Sequence, residues 1–210
     1  MRARNTILHG DCINLMQRLQ SGSVDLILTD PPYLVRYRDR HGRTVANDDN
    51  ASWMKPAFTE MGRILKPGGF LVSFYGWHEV DTFMAAWREA GLAPAGHLVF
   101  TKPYASSKRI LAHTHEQAYL LVKGKAPSPQ RHLVDVLTWD YTGNRLHPTQ
   151  KPVRPLAEII LALSRPGDLV LDPFCGSGST LVAAKKTGRD FLGIELDSRH
   201  HHNATIRVYS

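Results

Sequence analysis

A chain of 210 residues with 42% hydrophobic residues can bury one ordinary α/β core, which excludes global disorder and leaves little room for a second domain. Its 26 Lys and Arg against 19 acidic residues favour a polyanionic partner, because basic side chains that neutralise phosphates release counterions. Met1 to Gly10 lacks the apolar core of a signal peptide, no apolar run reaches the ~20 residues that span a bilayer, and Cys12 and Cys175 show no CxxC spacing, so the expectation is a cytoplasmic protein with free thiols and no membrane span.

In chain order, Cys12 to Leu19 is a predicted helix, and Val24 to Thr29 is a buried strand that ends at Asp30-Pro31-Pro32-Tyr33. A basic loop with Arg36, Arg38, Arg40 and Arg43 follows. Trp53 to Leu65 has helical spacing and stops at Lys66-Pro67-Gly68-Gly69. Phe70 to Tyr75 reads as a strand and Glu79 to Glu89 as a helix closed by Gly91. Leu98 to Thr101 and Gln117 to Val122 form an expected antiparallel edge pair, joined by a loop with Lys102, Lys108 and Arg109. Gly124 to Pro148 is irregular. Then come a helix from Pro152 to Ser164, a strand at Leu169 to Leu171, a helix from Thr180 to Thr187, a strand from Phe191 to Ile194, and a last helix from Asp197. This alternation predicts one α/β domain around a mainly parallel sheet.

The strand at Leu169 runs into Asp172-Pro173-Phe174-Cys175-Gly176-Ser177-Gly178-Ser179-Thr180, a glycine turn opening a helix. Glycine there lets backbone pass close to a ligand. About 20 residues on, at the end of the next strand, stands Glu195, placed to accept both hydroxyls of a ribose. The turn lacks a complete Gly-x-Gly-x-x-Gly and any phosphate-loop lysine. Phe174 and Asp172 suit a nucleoside cofactor without phosphates and with a cationic amino group, a description that S-adenosylmethionine meets.

Asp30-Pro31-Pro32-Tyr33 closes a buried strand, so it lies at the sheet edge where α/β proteins bind ligands. An exocyclic amino nitrogen is a poor nucleophile because its lone pair is conjugated with the ring. Two acceptors on its two hydrogens, the Asp30 carboxylate and the Pro31 carbonyl, would draw the lone pair out. Prolines fix the backbone and donate nothing, which keeps the corner rich in acceptors. Tyr33 can stack on a base taken out of the helix.

With His9-Gly10-Asp11-Cys12 and His147-Pro148-Thr149-Gln150-Lys151-Pro152, these motifs resemble the β-class amino-methyltransferases of DNA, including small orphan members carried by phages and mobile elements. The resemblance covers nearly the whole chain. It implies a Rossmann-like S-adenosylmethionine-dependent methyltransferase fold in circularly permuted motif order, acting on the N6 of adenine in double-stranded DNA. It assigns Asp30, Pro31, Pro32 and Tyr33 to the target base. It gives the cofactor Asp11, Cys12, Asp30, His147, Thr149, Lys151, Asp172, Pro173, Phe174, Gly176, Ser177, Gly178, Thr180 and Glu195, with Thr149 and Lys151 towards its carboxylate. It implies no metal, and many members are dimers, which extends to an expected homodimer. The DNA-contacting loops fall at 35–50, 103–115 and 124–146, and the DNA-contacting residues in or beside them are Arg36, Arg38, Arg40, Arg43, Lys102, Lys108 and Arg109. These are shorter than the recognition insertions usual in the family, which predicts a short or relaxed target.

Carbon-5 methylation of cytosine is rejected, because neither cysteine follows a proline. Cytosine-N4 methylation, RNA methylation and a non-catalytic nucleic-acid-binding module are the alternatives; intact Asp30, Lys151 and Glu195 argue against the last. His200-His201-His202 lies in a predicted helix, where successive residues point apart. Trp53, Trp77 and Trp87 read as packing residues, and Trp139 and Tyr141 as the aromatics nearer the substrate.

Overall fold

The computed structural model describes residues 3–34, 48, 50–105, 110–129, 131–140 and 151–210. Its centre is strand β2 (Val24–Thr29), buried at every residue but Asp25. Burial on both faces is what an unbroken apolar run in a parallel sheet demands. Ile27 packs into one core and Leu26 and Leu28 into the other, as side chains alternate across a strand.

The other strands are β1 (Thr6–His9), β3 (Leu65–Phe74), β4 (Leu92–Thr101), β5 (His115–Lys123), β6 (Val136–Thr138), β7 (Leu169–Asp172) and β8 (Asp190–Glu195). They form one sheet in the order β1-β8-β7-β2-β3-β5-β4-β6. The expected pairing of β4 with β5 is antiparallel. The reversed strand is β5, set between β3 and β4, and β6 lies outside β4 as a short parallel edge.

Among the described residues, six α-helices cover the two faces. α1 (Cys12–Met16), α2 (Met54–Ile64) and α3 (Val80–Glu89) bury Met16, Phe58, Met61, Phe83 and Trp87 on one side. α4 (Val153–Leu163), α5 (Ser179–Lys186) and α6 (Ser198–Tyr209) bury Ile159, Ile160, Leu181, Ala204 and Val208 on the other. The last turn of α6 returns to the first strand, where the Tyr209 hydroxyl donates to the Asn5 carbonyl at 2.7 Å.

Four elements depart from the sequence reading. β1 and β6 were not expected; they have four and three residues, too few to show a period, and exist through pairing with β8 and β4. Lys66-Pro67-Gly68-Gly69, read as a stop, is a bulge inside β3: Val24 pairs with Leu65 and Leu26 already with Phe70. β4 begins at Leu92 despite Pro94, because a register shift at Pro94/Gly96 absorbs the missing donor.

β2 and β7 are parallel neighbours, and the chain leaves them in opposite directions: β2 leads to β3 on one side, β7 to β8 on the other. Their carboxyl ends therefore flank a topological switch point, the crevice where open α/β sheets take ligands. Asp30-Pro31-Pro32-Tyr33 leaves β2 there, and the glycine turn leaves β7.

Candidate active site

The carboxylate of Asp30 is held from two sides. The Tyr33 hydroxyl donates to Oδ1 at 2.6 Å, and Lys151 Nζ lies 2.7 Å from Oδ2. Lys151 also donates to the Tyr33 hydroxyl at 3.3 Å. Its ammonium stands 4.9 Å from the ring centre of Phe74, 5.4 Å from Tyr33 and 5.7 Å from Trp139, a cage of aromatic faces that favours a cation. Burial raises the Asp30 pKa, and the Lys151 charge and hydrogen bond oppose the rise. Burial and the Asp30 charge push the Tyr33 phenol well above 10, so it stays a proton donor. Asp30 keeps 20% of its side chain exposed, enough for a small polar group to reach an oxygen.

Asp172, at the end of β7, faces β2: the Thr29 hydroxyl donates to its Oδ1 at 3.0 Å and the Phe174 amide at 3.1 Å. Burial pushes its pKa up to about 7, against the hydrogen bonds of Thr180, Phe174 and Thr29 and with a further rise from the Asp30 charge. Two carboxyl groups thus share the crevice. Past Asp172 the backbone turns through Gly176 (φ 49°) and Gly178 (φ 77°), left-handed positions that favour glycine. A Cβ on Gly178 would press on Ala204 and Val208 of α6 at 3.3 and 3.2 Å.

Glu195 closes β8. Its Oε2 accepts from the Gly176 amide at 2.8 Å and its Oε1 from the Asp197 amide at 2.8 Å. A carboxylate offers about four lone-pair sites, so Glu195 keeps acceptor capacity for further donors. The Gly10 amide donates to its carbonyl at 2.9 Å, which brings the His9-Gly10-Asp11-Cys12 segment beside it. Asp11 caps α1 through the Asn14 amide at 2.9 Å. Cys12 is buried, and burial, then the Asp11 charge, push its thiol up to about 12. Phe174 meets Trp53 edge-on at 5.2 Å. The crevice is therefore rich in carboxylates and acceptors and walled by aromatics, a donor set that fits a cationic nucleoside such as S-adenosylmethionine.

The residues expected from the sequence fall in different places. Asp30, Tyr33, Lys151, Asp172, Phe174, Gly176, Gly178 and Glu195 converge on the switch point. Ser177 and Thr180 are buried and work through neighbours: Ser177 Oγ accepts from Arg207 at 3.2 Å, and Thr180 bonds Asp172. Pro173 is buried beside them. Lys151, expected near a cofactor carboxylate, lies on Asp30. Lys102, expected on a DNA-contacting loop, is corrected: its side chain is 2% exposed and its ammonium sits 2.7 Å from Glu116, so it offers nothing to a phosphate. Arg36, Arg38, Arg40, Arg43, Lys108, Arg109, Tyr141, His147 and Thr149 lie outside the described residues. His201 of the histidine run bonds the Ile7 carbonyl at 3.2 Å, and no metal-binding group of three occurs among the described residues.

Two contributors were missed. Phe74 reaches the site from the end of β3. Arg207, half-buried on α6, donates through Nη1 to Ser177 O (3.1 Å), Ser177 Oγ (3.2 Å) and Ser179 Oγ (2.9 Å), and Ser179 in turn donates to the Lys151 carbonyl at 2.7 Å. No local signal marks Arg207: α6 carries a second arginine, Arg199, and the partners that draw Arg207 in lie on the glycine turn, far back in the chain.

The family model described as DNA methylase, N6 and N4 type, matches residues 24–206. YubD of Escherichia coli (strain K12), a methylase by name, is 53% identical over 201 residues, covering 96% of this chain and 88% of the relative. YhdJ of the same organism, named a DNA adenine methyltransferase, is 31% identical over 234 residues, covering 93% and 79%. The crystal structure of an M1.HpyAVI–SAM complex superposes with a TM-score of 0.77 at 26% identity, covering 98% of this chain and 99% of that one.

Proposed function

The chain belongs to the N6/N4 DNA methylase family, and from that premise we propose that it transfers a methyl group from S-adenosylmethionine to the N6 amino group of adenine in double-stranded DNA. One observation carries the reading: a half-buried aspartate, first in Asp-Pro-Pro-Tyr, stands at the mouth of the crevice that also holds the glycine turn and Glu195. Within the family, aspartate at that position leans towards adenine, and the relative YhdJ is named an adenine enzyme.

The roles follow from the chemistry of the side chains. Asp30 and the Pro31 carbonyl accept the two amino hydrogens of the target base and turn its lone pair outward. Tyr33 and the Pro31-Pro32 corner present a rigid wall to the extruded base. Glu195 holds the ribose, with Asp11 and Cys12 beside the cofactor adenine and Asp172, Phe174, Gly176 and Gly178 around the remainder. When bound, S-adenosylmethionine supplies an electrophilic methyl group on a sulfonium. Asp30 takes the proton that the nitrogen sheds as its new bond to carbon forms, a role suited to a carboxylate whose burial raises its proton affinity. Positioning of base against cofactor supplies most of the rate.

Arg36, Arg38, Arg40 and Arg43, with Lys108 and Arg109, are proposed phosphate contacts. Their loops are short, which favours a short or relaxed target; a methylation map with one long, strict motif would sink that view.

The first test is methyl transfer to unmethylated duplex DNA, then digestion and mass spectrometry of the nucleosides, with Asp30→Ala as control. N6-methyladenine from the parent alone supports the reading. N4-methylcytosine keeps the mechanism and overturns the base. Cofactor binding with no product on DNA overturns the partner and directs the search to RNA.

A further inference from the structure

We propose that Trp77 is a DNA-contact residue whose indole stacks on a nucleobase beside the target-base pocket; this rests on the DNA reading above. The residues that follow β3 lead from the site wall to this ring. Phe74 faces Lys151 in the site wall, and Tyr75 is buried. Gly76 then abuts the base motif so closely that a Cβ there would lie 2.8 Å from the Tyr33 carbonyl. The next residue, Trp77, is therefore fixed one peptide from the Asp-Pro-Pro-Tyr corner.

Trp77 is 63% exposed, whereas Trp53, Trp87 and Trp139 are 6%, 0% and 5% exposed. A tryptophan ring left in water beside a functional crevice is available to a partner, the amphipathic kind of side chain that interfaces favour. The ring of His113 runs nearly parallel to the indole, 6.3 Å between centres and 23° between planes. His113 comes from the β4–β5 connection, at the same carboxyl edge of the sheet as Tyr33. That connection also exposes Leu111, at 69%. One indole face is thus braced, and an exposure of 63% leaves the rest of the ring to a ligand.

The chemistry of that ligand is set by the surroundings. A base pocket adjoins the indole, and the chain carries a formal net charge of +7. Removing one base from a duplex leaves its neighbours with an uncovered face, and a braced indole is a stacking platform for any base. The contact is apolar and neutralises no phosphate.

Trp77 is the one exposed tryptophan of four, so intrinsic fluorescence reads the contact directly. Titration of the cofactor-loaded parent with duplex DNA should quench tryptophan emission, and Trp77→Phe should lose most of that change while still binding DNA, the remainder belonging to Trp139 in the site wall. Trp77→Ala should weaken DNA affinity on the order of tenfold with the slope of log affinity against log salt unchanged. Cofactor affinity in Trp77→Ala should match the parent, which shows that the variant is folded. Unchanged DNA affinity in Trp77→Ala, or quenching undiminished in Trp77→Phe, overturns the inference. A parent that binds cofactor but neither binds nor methylates DNA overturns the DNA reading itself, and this inference with it.

Discussion

Lys151 Nζ lies 2.7 Å from Asp30 Oδ2, although 120 residues separate them in the chain and each is largely withdrawn from water. The pair joins the start of α4 to the end of β2. It satisfies a carboxylate that burial alone would drive towards its neutral form.

Removing one partner should therefore cost more than removing both. Lys151→Met should lower stability by about 3 kcal/mol, the usual scale for stranding one charge of a buried pair. Asp30→Asn with Lys151→Met should recover most of that loss while remaining inactive. Urea denaturation of the parent, the single variant and the double variant measures both terms. Equal losses in single and double variants would show that the pair is too well solvated to matter.

Arg207 should act on cofactor affinity more than on turnover after saturation. Its guanidinium ties Ser177 and Ser179 to α6 and never reaches the crevice. Hydrogen bonds to a charged group contribute roughly 1.5–3 kcal/mol, so Arg207→Met should raise the KM for S-adenosylmethionine by about tenfold or more. The expected kcat falls less than the KM rises. Steady-state kinetics with varied cofactor checks the split, and an unchanged KM would remove Arg207 from the positioning network.

Asp172 gives a pH signature. Its pKa rises from 3.8 unfolded to about 7 folded, so the folded state binds its proton more tightly. Stability from this group is complete below pH 3.8 and is lost as pH climbs through 7. The loss is on the order of 4 kcal/mol. Asp172→Asn should flatten the decline between pH 4 and 7 and hold a Tm at neutral pH no lower than the parent's. Thermal melts across that range test it; a parent whose stability rises over the same window would reverse the assignment.

Both cysteines should be inert in the folded protein. Burial raises the Cys12 thiol to about 12 and pushes the Cys175 thiol well above the ordinary thiol range, and the Asp11 and Asp172 charges add to the rise. Thiolate is the reactive form, so iodoacetamide near pH 8 should leave both unmodified until denaturant is added. Intact mass before and after unfolding decides the matter.

Much of this was legible because the relevant signals are local. Val24 to Thr29, the Asp-Pro-Pro-Tyr corner, the glycine turn and Glu195 each announce a strand, a corner or an acceptor within a few residues. What stayed hidden depends on partners distant in the chain. β6 is three residues long and exists through Val99, Phe100 and Thr101. Lys102 reads as a surface cation on a polar loop, yet Glu116 across the β4–β5 pair draws it inward. Arg207 reads as a solvated terminal residue until the glycine turn is laid against α6. Periodicity reports which face an element buries, and it does not report what waits on the other side.

The bond from Tyr209 to the Asn5 carbonyl, 2.7 Å long, makes the elements almost a closed ring. An order of elements that ran directly from α6 into β1 and began instead at a surface turn, such as Gly124, whose Cβ position has no neighbour within 4 Å, would satisfy the same contacts. Every strand would keep its neighbours, and Asp30 would still face Lys151 across the same crevice. In such a fold the order in which the base corner and the cofactor turn leave the ribosome is free to vary, because what joins them is the lateral pairing of β2 with β7.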